Sequence, residues 1–258
     1  MSTPSATLPR GRPARLFCGR VLPAALTAFV TLALVACSSG AQPRRIDFSA
    51  ETPVPEQLSY QLTDRSGQSY GTAVLSTRQD GSDLALEQAY QGPDGTTDRS
   101  VVRVDPGSMA PKSSVRDITV GGRKRHITTT YQDGTAAALY ESGATSTTHT
   151  VTVTSATYDN QESFWLWRRL PLEAGAEYTY ATVVVDTQSG AINRPVATVR
   201  VTGVDELKVG DQTIRAWRLV FDSAGVRNTV WLRDGAAHEM VRYELASGLI
   251  YELAPSGG

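Results

Sequence analysis

From Leu58 onward, many short stretches of the chain have an apolar or β-branched residue at every second position. The clearest stretch is HTVTVTSATY at residues 149–158, where His149, Val151 and Val153 share one side of an extended chain and the threonines share the other. β-branched side chains pack well on the pleated surface of a sheet. Because this alternation has the period of a strand and not of a helix, it restricts the chain to a fold that is mainly β.

Turn-forming residues separate these stretches. Asp-Gly stands at 80–81, Gly-Pro-Asp-Gly at 92–95 and Asp-Pro-Gly at 105–107. Glycine reaches positive φ, proline fixes φ, and aspartate bonds to its own backbone, so these sequences form tight turns. Many short strands joined by hairpin turns indicate an antiparallel sheet. We therefore predict one antiparallel sheet over residues 58–254, open or rolled toward a barrel, followed by a disordered tail at 255–258.

One segment, DNQESFWLWRRLPL, departs from the strand pattern. Asp159 is followed three residues later by Glu162, as in a capping box. Two arginines then suit the negative C-terminal end of a helix, and Pro171 ends it. We predict a single short α-helix around residues 159–170 that plugs the mouth of the sheet or packs along its face. Residues spaced three apart lie on one side of it: Phe164, Trp167 and Leu170.

The strands predicted at 213–222, 227–233 and 238–245 carry many aromatic side chains. If these strands form a meander, their apolar faces coincide, and such a face must meet the helix, a ligand or a partner. The aromatic residues are then either ordinary core or the lining of a ligand groove, and the sequence leaves both interpretations open. The candidate groove residues are Phe164, Trp167, Trp217, Leu219, Phe221, Trp231 and Tyr243.

The first 36 residues have the parts of an export signal. Residues 1–20 hold four arginines and no acid, and an uncharged apolar stretch follows over 21–36. That stretch is short for a transmembrane helix. Leu34-Val35-Ala36-Cys37 resembles the lipobox of bacterial lipoproteins, which implies removal of residues 1–36 and lipidation of Cys37. The alternatives are a cleaved signal with an incidental cysteine, or an uncleaved anchor.

Charge and composition limit what the mature chain can bind. The signal holds four of the 25 basic residues and none of the 26 acidic ones, so the mature net charge is −5. This argues against nucleic acid as a partner, because its binders need a basic surface. Residues 37–57 comprise the lipidated cysteine and a polar segment that reads as a flexible tether of roughly 25 Å. We expect attachment through the lipid on Cys37, on the outward side of the cytoplasmic membrane or in the outer membrane.

The sequence contains no catalytic signature. His126, His149 and His238 have no ligating partner nearby in sequence, and no zinc motif, nucleotide-binding loop or nucleophile elbow occurs. We therefore predict no catalytic residue, metal or cofactor, although a triad assembled by the fold stays open. Four aspartates lie in or beside turns and are expected to cap them: Asp80, Asp83, Asp94 and Asp98.

Four segments stand in a characteristic order along the chain. They are VRVDPGSMAPKSS (102–114), YDNQESFWLWRRLPLEAG (158–175), VTGVDELKVGDQTIRAWRLVF (201–221) and TVWLRDGAAHEMVRYEL (229–245). In this order they resemble a bacterial envelope family, domain of unknown function 3108. The resemblance covers residues 58–254 and implies a half-barrel-like antiparallel fold with a crossing helix. The turn at 209–213 departs from the family's usual Pro-Ala-Gly-Thr-like sequence.

Three functions compete on this evidence. The first is non-enzymatic binding of an apolar or amphipathic ligand in a groove between sheet and helix. The second is a structural or assembly role, in which the β surface contacts another envelope protein. The third is an envelope hydrolase. The sequence does not give the oligomeric state.

Overall fold

A single large sheet takes up most of residues 42–255, which are the residues that the computed structural model describes. The prediction of a mainly β fold with one short helix is confirmed. The helix is α1 (Ser163–Arg169), and single 3-10 turns lie at Pro93–Gly95 and Asn160–Glu162. The strands are β1 (Glu56–Thr63), β2 (Ser69–Asp80), β3 (Asp83–Gln91), β4 (Thr97–Val104), β5 (Pro111–Val120), β6 (Arg123–Gln132), β7 (Thr135–Ser142), β8 (Thr145–Thr152), β9 (Thr157–Asp159), β10 (Glu177–Val185), β11 (Ile192–Asn193), β12 (Val196–Val209), β13 (Gln212–Ser223), β14 (Val226–Arg233), β15 (Met240–Glu244) and β16 (Ile250–Leu253).

The strand order is β11-β10-β12-β13-β14-β15-β16-β1-β2-β3-β4-β5-β6-β7-β8, and every pair along it is antiparallel. β9 lies off this path and pairs with β10 in parallel. The sheet is therefore mixed, and the prediction of a wholly antiparallel sheet is wrong at this one place. The reason is the crossover through α1, which returns the chain to the sheet in its original direction.

The two ends of the strand order touch without pairing, so the sheet is not closed by hydrogen bonds. β8 and β11 are in contact. Nearby, the hydroxyl of Tyr140 on β7 donates to the carbonyl of Gln188 (3.0 Å), and the Arg125 guanidinium donates to the Gln188 side chain (2.8 Å). Gly190, at φ 76°, sits directly on Tyr140. A Cβ at Gly190 would lie 2.5 Å from the Cβ of Tyr140, which leaves no room for a side chain.

We predict that Gly190→Ala destabilises the domain more than Gly210→Ala does. Both glycines have positive φ, but a Cβ at Gly210 would meet nothing within 4 Å. Each substitution carries a backbone penalty of about 1 kcal/mol, and Gly190→Ala adds overpacking of about 1–3 kcal/mol. Urea unfolding of both variants measures the difference. Equal losses would mean that the ends of the sheet do not pack against each other.

A stretch before β1, which we call the N-terminal strap (residues 44–53), lies along the domain. The N–H of Arg44 donates to Thr179 (2.8 Å), and that of Ser49 donates to Arg169 (3.0 Å). Ile46 is buried in the core, and Phe48 packs edge-on against an aromatic ring of β9. The strap is thus held by backbone hydrogen bonds and by two apolar side chains.

Residues 37–57 were expected to form a flexible tether, but the strap within them is bound to the domain. Two isolated apolar residues, Ile46 and Phe48, have no period in sequence, so nothing in the pattern distinguished them from a linker. The expected signal peptide, Cys37 and the last three residues of the tail fall outside the described residues. Within residues 42–255, α1 and the two short turns are too short to cross a bilayer.

Candidate functional site

The helix that faces the sheet begins as its sequence predicts. The side chain of Asp159 accepts from the N–H of Gln161 (2.8 Å), and Oε1 of Glu162 accepts from the N–H of Asp159 (2.8 Å). This capping box, predicted from the sequence, is confirmed. It starts a 3-10 turn that runs directly into α1. The α-helical stretch ends at Arg169, because the next residue is extended and precedes Pro171.

The arginines at the end of α1 fix it in place. Arg168 forms a two-bonded ion pair with Glu56 of β1 (2.5 and 2.8 Å), and its guanidinium also donates to the carbonyl of Ala237 (3.0 Å). The two charged side chains are only 4% and 12% exposed. The ring of His238 donates back to the carbonyl of Arg168 (2.9 Å). One side chain therefore joins the helix to two parts of the sheet.

Arg169 holds the helix to the strap. Its guanidinium donates to the carbonyl of Ala50 (2.8 Å) and to that of Pro106 (2.7 Å), and it lies 4.9 Å from the centre of the Phe48 ring. Burial lowers the pKa of Arg169. From the sequence, both arginines were expected to interact with the negative end of the helix. The contacts described above were not predicted, because the partners are far away in the chain.

We predict that Arg168→Met lowers the free energy of unfolding by about 3–5 kcal/mol, since it leaves a buried carboxylate on Glu56 unpaired. The matched control is Arg200→Met, which removes an arginine from the exposed pair with Glu177, whose side chains are 57% and 41% exposed. That loss should be at most about 1 kcal/mol. Denaturant titration compares the two. Similar losses would show that the Arg168 pair does not hold the helix.

A cleft of about 440 Å³ lies between the first half of α1 and the inner face of the sheet. One wall is mainly aromatic and apolar: Phe164, Trp167, Phe221, Tyr243, Leu249 and Tyr251. The other wall is polar apart from the ring of Tyr90: Gln88, Asp98, Arg116, Asn160, Gln161 and Ser163. A cleft of this size with two unlike walls suits a small amphipathic molecule.

The cleft draws together strands that are distant in the sheet. Arg116 lies on β5 and Phe221 on β13, eight steps apart in the strand order. In a flat sheet that separation is about 38 Å. Both side chains nevertheless line the same small cleft, so the sheet must curve around the helix.

Four of the seven candidate groove residues line this cleft. The ring of Phe164 lies 5.6 Å from that of Trp167 and 5.5 Å from that of Tyr243, and Trp167 lies 5.1 Å from Phe221. The indole of Trp167 donates to the hydroxyl of Tyr180 (3.0 Å), which fixes its orientation. The rings therefore form one connected cluster on the aromatic wall of the cleft.

The other three candidates lie elsewhere. Leu219 is fully buried in the main core, and Trp217 is half-buried at its edge, where its indole donates to Asp234 (3.1 Å). Trp231 lies on the opposite face of the sheet, opposite Arg218 in the strand register, and its indole donates to Asp205 (3.0 Å). Alternation along β13 and β14 separates Trp217 from Trp231, and neither contributes to the cleft.

The polar wall includes an ion pair that the sequence did not predict. Arg116 on β5 donates two bonds to Asp98 on β4 (2.9 and 2.5 Å). Asp98 was expected to cap a turn, and so were Asp80 and Asp83. These two also form ion pairs, with Arg103 (2.8 Å) and with a lysine on β5. The strand register that brings the partners together is not visible in sequence.

Comparison with known proteins identifies the family. The family described as "Protein of unknown function (DUF3108)" matches residues 58–253. The chain belongs to this family. The match includes the helix and every residue of the cleft.

Solved structures resemble the DUF3108 chain only distantly. A DUF1089 family protein from Pseudomonas aeruginosa is 9% identical, with a TM-score of 0.38 over 66% of this chain and 88% of that one. The hypothetical lipoprotein YmcC from Escherichia coli K12 is 13% identical, with a TM-score of 0.34 over 81% and 90%. No curated protein matches. Similarities this weak carry no argument about function.

Two buried carboxyl groups stand behind the cleft of the DUF3108 domain. Glu162 and Asp159 are fully or almost fully buried, and Oε2 of Glu162 has no hydrogen-bond partner within residues 42–255. Burial raises the pKa of Glu162 well above its usual range, and the neighbouring Asp159 carboxylate raises it further. Burial also raises the pKa of Asp159, although hydrogen bonds from Tyr131 and Gln161 favour its charged form. Glu162, with one hydrogen bond, is therefore the member that keeps its proton.

We predict that the domain loses stability as the pH rises from 5 to 8. A carboxyl with a raised pKa binds its proton more tightly in the folded chain, so the stability that Glu162 contributes is complete below about pH 4 and is lost as the pH rises toward its raised pKa. The fall is at most about 1.4 kcal/mol per pH unit for one group. Glu162→Gln should flatten this slope, and the exposed control Glu206→Gln should leave it unchanged. Urea unfolding across this pH range measures the three slopes. Equal slopes for the wild type, Glu162→Gln and Glu206→Gln would contradict this prediction.

A hydroxyl, an imidazole and a carboxylate stand in a row on the outer face of β5 and β6. One ring nitrogen of His126 lies 2.7 Å from Asp117, and the other lies 3.1 Å from the hydroxyl of Thr128. The side chains of His126 and Asp117 are 42% and 55% exposed. They lie apart from the cleft, in an open depression that Lys124 and Glu141 also line. Within the described residues, no three His, Cys, Asp or Glu side chains group as metal ligands.

Proposed function

We propose that this protein is a lipid-anchored protein of the bacterial cell envelope. Its domain, a half-barrel filled by α1, binds an amphipathic ligand in the cleft and does not transform it. The cleft itself carries this proposal, because aromatic and hydrogen-bonding side chains together line a space of about 440 Å³. A filled core would have left no such space, and a cleft with a purely apolar lining would suit only a hydrocarbon.

The lipobox at residues 34–37 supports the anchor. The strap begins at Arg44, so six residues separate it from a lipidated Cys37. Six extended residues span about 20 Å at most. The domain would then sit close to the membrane, on the outward side of the cytoplasmic membrane or in the outer membrane.

An assembly role is the second candidate. β8 is an eight-residue strand at the edge of the sheet. Within the described residues only β7 pairs with it, and β11 touches it without pairing. An edge strand can accept a strand from another protein. Such a partner would bind on the outer rim and leave the cleft free.

Native mass spectrometry of residues 38–258, exported from a bacterial host and purified without detergent, tests ligand binding. All strand pairing and core packing described above lies within residues 42–255, so this chain retains the whole domain. We expect extra mass that is lost on unfolding and that extracts into organic solvent as an amphiphile. Leu249→Glu puts a charge on the apolar wall and should abolish the extra mass.

Val226→Glu is the matched control, because Val226 is 51% exposed and does not line the cleft. It should retain the ligand at the wild-type level. A wild-type chain with no bound mass, or equal retention by both variants, would count against the cleft. It would direct the search to protein partners of β8.

A further inference from the structure

The polar wall of the cleft is electrically balanced. Among the described residues that line the cleft, Asp98 and Arg116 are the two charged ones. They are bound to each other through two parallel hydrogen bonds, and their side chains are 28% and 22% exposed. Such a fork-to-fork pair satisfies both partners geometrically as well as electrically. The wall therefore offers a ligand no unpaired charge.

The other groups of this wall are uncharged hydrogen-bonding groups. They include the amides of Gln88, Asn160 and Gln161. The amide nitrogen of Gln88 donates to the side-chain oxygen of Gln161 (2.5 Å), so these two amides offer a ligand only their remaining groups. The wall also includes the hydroxyl of Ser163, whose residue is 5% exposed and which has no hydrogen-bond partner within residues 42–255. A buried hydroxyl without a partner is unfavourable. The Ser163 oxygen is itself covered, so a ligand hydroxyl removes that penalty once the Ser163 side chain rotates toward the cleft.

A charged head group binds to this wall less favourably than a hydroxyl group does. An anion can bind Arg116 only by competing with Asp98, and it leaves that carboxylate without its partner beside the new negative charge. A cation can bind Asp98 only by competing with Arg116, and it leaves that guanidinium without its partner beside the new positive charge. Uncompensated charges in a partly buried site are strongly unfavourable, so the ion pair selects against both kinds of head group. Hydroxyl groups can bond to the amides without disturbing it.

The size of the cleft limits the ligand further. A cleft of about 440 Å³ lies near the lower end of the range for small-molecule sites, about 300–1,000 Å³. That is enough for a polar head and one short chain. A lipid with two long chains is too large to be enclosed.

On the basis of the ligand role proposed above, we infer that the cleft selects a single-chain amphiphile with an uncharged, hydroxyl-bearing head group. Anionic and cationic amphiphiles of the same chain length bind more weakly. The apolar chain lies against Phe164 and Tyr251, and the head group lies between Ser163 and Gln161.

Three ten-carbon probes test this inference on residues 38–258 by calorimetry below their critical micelle concentrations. They are 1-decanoylglycerol, decyl phosphate and decyltrimethylammonium. We expect the glycerol ester to bind at least tenfold more tightly than either charged probe. Ser163→Ala should weaken its binding about threefold.

Asp98→Asn provides the sharper test, because it frees Arg116. Decyl phosphate should then bind at least tenfold more tightly than it does to the wild type, while the glycerol ester changes less than threefold. Asp222→Asn, which removes a carboxylate from an outer-face pair with Arg227 at 3.5 Å, is the matched control and should change neither. Circular dichroism confirms that each variant is folded.

The outcomes separate this inference from the ligand role itself. If none of the three probes binds, the ligand role fails and the inference fails with it. If the probes bind equally, or decyl phosphate binds most tightly, and Leu249→Glu abolishes this binding, the cleft is a ligand site but the selection of an uncharged head group is wrong. If Asp98→Asn does not improve the binding of decyl phosphate, the ion pair is not the selecting element.

Discussion

The architecture depends on one buried ion pair, between Arg168 of the helix and Glu56 of the first strand. Burying two opposite charges is favourable only when the geometry is good and the remaining donors are satisfied. Here the guanidinium makes two bonds to the carboxylate and further bonds to the carbonyl of Ala237. The pair fixes α1 against strands that come from both ends of the sequence. A seven-residue helix, too short to be stable alone, can then serve as the centre of a large sheet.

The position of the helix explains the rest of the inner face. At its C-terminal end, Arg169 and the strap cover the strand ends, and the large side chains Trp165 and Leu166 fill the core. At its N-terminal end the capping box turns the chain toward the sheet, and the packing is incomplete. The cleft is the space that remains there. A filled end and an open end therefore follow from one short helix held at one side of a curved sheet.

Much of this could be predicted from the sequence, because it depends on local patterns. Alternating β-branched residues predicted the strands, and Asp159 with Glu162 predicted the start of the helix. Pro171 predicted its end. Phe164, Trp167, Phe221 and Tyr243 were among the candidates for a groove between helix and sheet, and the fold brings these four together.

What the sequence could not give depends on register and on distant contacts. Asp98 meets Arg116 because β4 and β5 pair at one particular offset, which no spacing in the sequence fixes. Trp231 faces away from the cleft for the same reason. β9 pairs in parallel because of the crossover through α1. The strap binds through Arg169, whose partners lie 119 and 63 residues away.

In the proposed function, the space between α1 and the sheet binds an amphiphile. The most direct test is a crystal structure of residues 38–258 with a decanoylglycerol that carries bromine at the end of its chain. We expect an anomalous bromine peak against the rings of Phe164, Trp167 and Tyr243, with the glycerol near Ser163. A peak confined to the outer face of the sheet, or an empty cleft at saturating probe, would contradict this proposal.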